Sequence, residues 1–324
     1  MRHPSQLRRT VAIVPLLSTL ILSVAACSKE RVKKLLGGNA NIDEKWVSDS
    51  MMLASNPEVL FTTFKTKNGF EIAPIGLIGP RGFRSIRLGD RGWHAFDIQY
   101  LAGGQMLEAY REGKSVGPVK LLRGMWTDNA AALDSIPGCE IIVPSALAPM
   151  SQGTQLFTLK KHAPPPVPAK PVSGAEVEQA LRESNMLVAT QKGIPIGALP
   201  KYVRTVHLVN TGHGTKPTLV VVYDDPEVYP DTLLADLQRP RHLVVFLDWE
   251  NWGYKATWTY ATLGNKRSPP RYRYLDYIDV DDDGKAEVLL GVQLSTEPLF
   301  TIILRRDPPT WIEEARQIGR RCQR

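Results

Sequence analysis

Carboxylates recur at a fixed spacing near the end of the chain, in the segment Asp279-Val-Asp-Asp-Asp-Gly-Lys-Ala-Glu287. Acidic residues occupy positions 1, 3, 5 and 9 of this loop, and the glycine at position 6 permits a sharp turn. Calcium takes six to eight hard oxygen ligands, which this spacing directs at one centre. The segment therefore predicts a Ca²⁺ site, whereas an acidic, solvated turn without a metal is the alternative. The predicted ligands are Asp279, Asp281, Asp283, the Lys285 carbonyl and Glu287.

The residues after the loop exclude an EF-hand. Position 12 should be a bidentate glutamate but is Leu290, and the run Val288-Leu-Leu290 is typical of a strand and not of an exiting helix. A dockerin is excluded on similar grounds. The pattern resembles the calcium motif of FG-GAP (integrin α-like propeller) and VCBS repeats, whose signature DxDxDGxxD/E is followed directly by an apolar strand. The resemblance covers residues 274–293 closely and extends faintly back to about Lys201. It implies the same five ligands and a metal that stiffens a β-turn.

Short apolar runs bounded by glycine and proline must position this loop. They predict a mainly β fold of antiparallel propeller-blade-like or sandwich units with a few short helices. We expect a helical turn near residues 43–52, a helix from the N-cap Ser173 to about Asn185, supported by Glu176, and a closing helix over residues 311–318. The predicted strands are 71–78, 83–88, 95–101, 155–159, 202–209, 218–223, 243–247, 255–261 and 301–305.

An internal repeat aligns residues 209–222 with residues 278–291, at an offset of 69 residues. The turn, one lysine and the apolar strand after it match. This period suits one propeller blade or one hairpin pair of a sandwich, and the earlier copy would have kept the fold and lost the ligands. A chance similarity between two turn-then-strand patterns is the alternative.

Other reactive residue types carry less information. Gly113-Lys-Ser-Val-Gly117 matches the GxSxG nucleophile pattern, but Pro118 follows where a helix is required, so we expect a hairpin. The histidines at 94, 207, 213 and 242 lack metal-ligand spacing. The hairpin around Asp248, Trp249 and Glu250 also contains Trp252, Tyr254, Trp258 and Tyr260, which suits either sugar stacking or a packed cross-strand ladder.

The N-terminus reads as a targeting segment. Arg2, Arg8 and Arg9 precede an apolar stretch that ends in Val24-Ala-Ala-Cys27. That ending resembles the lipobox of bacterial lipoproteins, in which the cysteine is acylated and becomes the first mature residue. Ser28, which is not aspartate, resembles an outer-membrane sorting signal. An uncleaved membrane anchor is the alternative, although Pro15 and the short length disfavour it.

Charge and cysteine usage fit an envelope protein. Removing the signal takes away three arginines and no acidic residue, so the formal net charge falls from +7 to +4, too low to indicate nucleic-acid binding. The basic residues at 29, 31, 33 and 34 could contact anionic headgroups or form a solvated tether. In an oxidising compartment Cys139 and Cys322 would form a disulfide, and two buried thiols are the alternative.

The predicted organisation has five parts. They are a lipoprotein signal peptide at 1–26, a membrane tether at 27–55, a β-rich region at 56–161, a proline-rich linker at 162–172 with polyproline II geometry, and a second β-rich region at 173–324 that contains the calcium loop.

Two functions are compatible with these features. The first is a lipid-anchored, calcium-stabilised protein that binds or scaffolds an envelope protein or polysaccharide, in the outer membrane and facing the periplasm or the cell surface. The second is an envelope-polymer hydrolase with structural calcium, in which Asp248 and Glu250 act as acid and base.

We predict that Cys27→Ala releases the protein from the membrane fraction, because acyl chains are its expected attachment. Cell fractionation and immunoblotting measure this, with Cys139→Ala as the control that stays with the membranes. A full-length, membrane-bound Cys27→Ala chain would instead indicate a transmembrane anchor.

Overall fold

The computed structural model of the chain describes residues 44–66, 69–79, 82–124, 145–149, 156–168, 170–192, 202–224, 240–263, 271–294 and 297–317. Residues 49–324 form one compact unit, and of the unit formed by residues 1–48 only residues 44–48 are described. Cys27, Cys139 and Cys322 lie outside the described residues. Lipidation and the disulfide therefore stay predictions.

The described chain is mainly β, as predicted, and its strands form three antiparallel sheets. The strands of sheet A are β1 Glu58–Thr66, β2 Gly69–Gly79, β3 Gly82–Arg84, β4 Met106–Arg111, β5 Lys114–Lys120, β6 Arg123–Gly124, β7 Ala146–Leu147 and β8 Leu156–Thr158. Their order in the sheet is β5-β4-β8-β1-β2-β7-β6, with β3 paired to β2.

The other two sheets are simple four-stranded meanders, the arrangement found in a propeller blade. Sheet B contains β9 Val203–Val209, β10 Thr218–Asp224, β11 Pro240–Glu250 and β12 Gly253–Leu263. Sheet C contains β13 Arg271–Ile278, β14 Glu287–Leu294, β15 Glu297–Asp307 and β16 Thr310–Gln317. The described helices are α1 Glu44–Ala54, α2 Asp90–Tyr100 and α3 Gly174–Lys192.

Sheet C lies between the other two sheets. A core cluster that includes Val288 and Leu290 of β14 joins it to sheet B, and a second cluster that includes Leu289 joins it to sheet A. Because successive side chains of a strand point to opposite faces, β14 contributes apolar residues to both cores. Strands buried on both faces read as continuous apolar runs, as this one does.

Helices cover the outer faces of the stack. Leu53 of α1 and Trp93, Phe96 and Tyr100 of α2 pack with sheet A, and α3 packs with sheet B through Leu181. The order of layers in the described unit is helix, sheet A, sheet C, sheet B, helix.

The prediction of a strand over residues 95–101 is wrong, because these residues belong mostly to α2. Trp93, Phe96 and Tyr100 recur at intervals of three and four and lie on one face of the helix. The ring centroids of Phe96 and Tyr100 are 4.6 Å apart, and Phe96 lies 6.3 Å from Phe61 of β1. Aromatic residues favour strands locally, but packing against sheet A decides the helical conformation.

The predicted closing helix at 311–318 is also wrong, because residues 310–317 form β16. Glutamate, alanine and arginine favour helices, but this is a weak preference that tertiary contacts override. Trp311 and Ala315 are buried, and β16 pairs with β15 along its length. Pairing and burial therefore outweigh propensity in this segment.

The other two predicted helices are confirmed. The first turn of α3 forms a capping box, in which the Glu176 N–H donates to Ser173 Oγ at 3.2 Å and the Ser173 N–H donates to Glu176 Oε2 at 2.9 Å. The helix runs beyond the predicted end at Asn185, to Lys192. Helix α1 occupies the region predicted near residues 43–52.

The internal repeat falls on equivalent positions of sheets B and C. Val209 and Ile278 end the first strand of each meander, and Thr218 and Glu287 begin the second. The two intervening loops lie side by side, since the Ala286 N–H donates to the Thr211 carbonyl at 2.9 Å. The offset of 69 residues therefore matches one four-stranded sheet to the next.

We predict that Leu289→Ala lowers the free energy of unfolding by about 2 to 5 kcal/mol, because Leu289 is fully buried between sheets A and C. Urea denaturation followed by circular dichroism measures it. Leu208→Ala is the matched control, since Leu208 is 55% exposed and should change stability by less than about 0.5 kcal/mol. Equal effects of the two substitutions would contradict the three-sheet stack.

Candidate metal centre

The loop between β13 and β14 brings three aspartates together. Asp279, Asp281 and Asp283 each offer a carboxylate oxygen, and the three oxygens lie within 4.8 Å of one another. Asp279 is buried at the end of β13, whereas the other two are exposed. A group of this size and chemistry could hold a metal ion. Among the described residues it is the one such group of histidine, cysteine or acidic side chains.

Backbone donors hold these carboxylates in place. The Gly284 N–H donates to Asp279 Oδ2 at 2.8 Å, and the Lys285 N–H donates to Asp283 Oδ1 at 2.7 Å. Gly284 has a φ of +82°, a conformation that glycine adopts without steric cost. The loop therefore closes over its own acidic side chains, as the glycine at position 6 predicted.

Two buried carboxylate oxygens, one of the cluster and one at the start of β14, lack a hydrogen-bond partner among the described residues. They are Asp279 Oδ1 and Glu287 Oε2, and both residues are 2% exposed. Burial, helped by the charge of Asp281, raises the pKa of Glu287 to about 9. Burial, helped by the charges of Asp283 and Asp281, raises the pKa of Asp279 to about 6. A buried carboxylate without a donor or counter-charge is costly, and a bound cation would supply the missing charge.

The equivalent position in sheet B shows the contrast. Thr218 occupies the place of Glu287, and its hydroxyl lies 2.6 Å from Asp248 Oδ1 and 3.0 Å from Thr211 Oγ1. Sheet B thus places at this position a neutral side chain with hydrogen-bond partners. Sheet C places there a carboxylate oxygen that has none among the described residues.

The predicted ligands divide into three sets. Asp279, Asp281 and Asp283 form the cluster, whereas Glu287, at the start of β14, does not belong to the group of oxygens within 4.8 Å of one another. The Lys285 side chain is exposed, and its backbone N–H holds Asp283. The role of its carbonyl as a ligand stays a prediction.

Sequence reasoning missed Glu314 of β16. Its Oε2 atom is buried without a hydrogen-bond partner among the described residues, and its charge contributes to the raised pKa of Glu287. Glu314 lies far along the chain from the loop, in a segment predicted to be helical. Pairing of β16 with β15 brings it beside Arg305 in sheet C, and no spacing rule signals that pairing.

The proline-rich segment predicted as a linker lies across both loops of the repeat. We call residues 162–168 together with Lys170 the strap. The Ala163 N–H donates to Asp282 Oδ1 at 3.0 Å, next to the aspartate cluster. The Lys170 N–H donates to the Thr215 carbonyl at 3.0 Å, in the loop of sheet B. The strap therefore fastens the two loops to each other.

A buried histidine anchors the strap to sheet A. His162 Nε2 lies 3.0 Å from Glu58 Oε1, and His162 Nδ1 lies 3.5 Å from Asp282 Oδ2. Burial opposes protonation of His162, but Glu58 and Asp282 outweigh it and raise the pKa of His162 above its ordinary value. The backbone N–H of His162 also donates to Tyr110 Oη at 2.6 Å.

The acid and base proposed for a hydrolase are both paired with one arginine. Arg306 Nε lies 2.8 Å from Asp248 Oδ2, and Arg306 Nη2 lies 3.1 Å from Glu250 Oε1. Asp248 Oδ2 also accepts hydrogen bonds from Trp311 Nε1 and Thr257 Oγ1, at 2.9 and 2.6 Å. Asp248 is thus a structural acceptor between sheets B and C.

The aromatic residues near Asp248 mostly pack against each other. Trp249 contacts Tyr254 edge-on with centroids 5.3 Å apart, and Trp258 lies 5.1 Å from Phe246. This favours the packed ladder over a sugar-stacking surface. Trp252, at the tip of the hairpin, is 95% exposed.

The GxSxG segment forms the predicted hairpin, with Glu112 and Gly113 at the turn between β4 and β5. Ser115 Oγ donates to Glu108 Oε1 across that hairpin. The histidines also have structural contacts. His242 Nδ1 lies 2.8 Å from Asp224 Oδ1, and His207 stacks on Tyr274 with centroids 4.3 Å apart.

The chain matches no protein-family model, no curated protein and no solved structure. Among the described residues, each of the helices α1 to α3 is too short or too polar to cross a bilayer.

We predict that the His162 interaction makes stability depend on pH. Because the pKa of His162 is raised in the folded state, its contribution is complete below its unfolded value of about 6.5 and is lost as pH rises through the folded value. Urea midpoints at fixed calcium should show the parent losing stability relative to His162→Gln between pH 6 and pH 8.

His94→Gln, at an exposed position of α2, is the matched control for the substitution. Parallel pH profiles for the parent and His162→Gln would show that the Glu58 and Asp282 contacts add nothing.

Proposed function

We propose that the loop from Asp279 to Glu287 binds calcium and that the metal stabilises the fold. The observation that carries this proposal is the pair of buried, unpartnered oxygens of Asp279 and Glu287 beside the aspartate cluster. Without a cation their burial is destabilising. With one, the same carboxylates become ligands.

The donor set favours calcium over other metals. All the candidate side-chain ligands are carboxylates, which are hard oxygen donors and suit calcium and magnesium better than zinc or copper. Magnesium requires near-ideal octahedral geometry and keeps several waters, whereas calcium accepts more ligands at flexible angles. A cluster with several protein carboxylates in one loop suits the larger ion.

The setting of the loop supports the resemblance to FG-GAP and VCBS repeats as part of this proposal. The loop connects two strands of a four-stranded meander, and an apolar strand follows it directly. The repeat in sheet B keeps the strands and lacks the carboxylates. On this proposal the two sheets are successive units of one repeat, and the second unit retains the metal.

The position of the loop favours a structural role for the metal. The loop contacts the loop of sheet B through Ala286 and Thr211, and it contacts the strap through Asp282. A cation there would stiffen the point where the strap and two sheets meet. We therefore propose a calcium-stabilised β-rich protein with a binding or scaffolding role in the cell envelope.

The proposed location depends on the N-terminal sequence. Acylation at Cys27 would hold the protein at the membrane, with the segment between Cys27 and α1 as a tether. An envelope protein or polysaccharide is the proposed partner. The exposed Trp252 is a candidate contact residue of the surface that would bind this partner.

We predict that calcium raises the melting temperature of the full-length protein and that Asp281→Ala removes the effect. For a dissociation constant of about 10⁻⁴ to 10⁻³ M, 10 mM calcium would add about 1.4 to 2.7 kcal/mol of stability. Differential scanning calorimetry in calcium and in chelator measures the shift. Asp307→Ala, at the exposed end of β15, is the matched control and should keep the calcium response. Identical melting curves in calcium and chelator for the parent would refute the metal site.

A further inference from the structure

One carboxylate oxygen of Glu314, in β16, is not engaged by the contacts that hold this side chain. Its side chain is 10% exposed, and Arg305 Nε lies 3.3 Å from its Oε1 atom. The carboxylate also packs so closely on Gly82 of β3 that a Cβ atom there would overlap it. The Oε2 atom is buried and has no hydrogen-bond partner among the described residues. Glu314 is thus a fixed carboxylate with one oxygen available.

Arg305, the ion-pair partner of Glu314, lies on the face of sheet C that carries Glu287. Leu289 and Ile303 are paired across β14 and β15 and face sheet A. Glu287 is two residues before Leu289, and Arg305 is two residues after Ile303. Both therefore point to the same face as those residues. Glu314 has no Cα partner in β15, because the register shifts there, but its ion pair with Arg305 and its contact with Gly82 of sheet A place it on this face as well.

Strand register connects Glu314 to the start of β14. Val288 pairs with Leu304, so the next residues outward, Glu287 and Arg305, lie across from each other on neighbouring strands. Arg305 Nε in turn lies 3.3 Å from Glu314 Oε1, and a single cationic side chain does not balance the carboxylates present.

Three unpartnered oxygens thus come from three parts of sheet C. They are Asp279 Oδ1 from the end of β13, Glu287 Oε2 from β14 and Glu314 Oε2 from β16. Mutual repulsion would separate such groups if they stayed unbalanced, whereas a divalent cation attracts all of them. Calcium, with six to eight ligands, has room for a carboxylate beyond those of the loop.

We propose that Glu314 is a further carboxylate of the cation site and that its free Oε2 favours calcium over magnesium. This inference rests on the proposed function and extends it from a loop motif to a site completed by a distant strand. Magnesium would gain less from the added oxygen, because its octahedral shell is filled by fewer ligands and retained waters. The metal would then connect the β13–β14 loop to β16 across the sheet.

Isothermal titration of the full-length protein in mild detergent with calcium, and separately with magnesium, tests the proposal. Glu314→Gln should bind calcium about 10- to 100-fold more weakly than the parent, and magnesium should be affected less. Glu313→Gln is the matched control. Glu313 is exposed, lies one residue away and is paired with Arg316 at 2.6 Å, so this variant should bind as the parent does.

Unfolding in chelator separates ligation from a merely structural role. Glu314→Gln should be at least as stable as the parent without calcium, because it removes a buried charge, and it should gain less stability when calcium is added. Calcium affinity of Glu314→Gln equal to that of Glu313→Gln would overturn the inference, as would an equal loss of stability with and without calcium.

The two proposals fail in different ways. If the parent binds calcium and Asp281→Ala does not, but Glu314→Gln binds normally, the loop site stands and Glu314 has no part in it. If the parent itself binds no calcium, both proposals fail.

Discussion

Burial of sheet C on both faces is the constraint that governs this molecule. Its strand β14 is paired on both edges and covered on both faces, so a charged side chain can be accommodated only at an end of this strand. Glu287 begins β14 at such an end, and it is 2% exposed. The same burial that gives β14 its continuous apolar run therefore makes the Glu287 carboxylate depend on a counter-charge.

The stack also determines how distant parts of the chain meet. Residues of the strap contact Glu58 of β1 on one side and Asp282 of the acidic loop on the other. His162 lies between these two acids and Tyr110, which belongs to a third strand. A segment with a proline-rich, extended sequence is thus held by side chains from sheets A and C. Its composition describes its backbone geometry but gives no information about these partners.

Local patterns predicted much of the fold and most of the candidate site. The apolar runs located most of the longer strands. The spacing of Asp279, Asp281 and Asp283 located the cluster, because residues close together in one loop are brought together by the local backbone conformation alone. The failures occur where tertiary packing decides. Phe96 lies in a helix because a sheet covers its aromatic face, and Trp311 lies in a strand because β15 pairs with it. Glu314 was missed for the same reason, since its place in the sheet follows from that pairing.

The bond between the Ala286 N–H and the Thr211 carbonyl joins two loops that differ in nearly every side chain. Both partners are backbone atoms, so the bond does not depend on which side chains the loops carry. The loop of sheet B can therefore gain rigidity from its neighbour, and only close contacts restrict its sequence. Gly212 is such a position, because its φ is +71° and a Cβ atom there would lie 2.0 Å from the Gly284 carbonyl oxygen. A substitution at the exposed Thr215 should accordingly be tolerated more readily than one at Gly284, which occupies the equivalent place in the repeat.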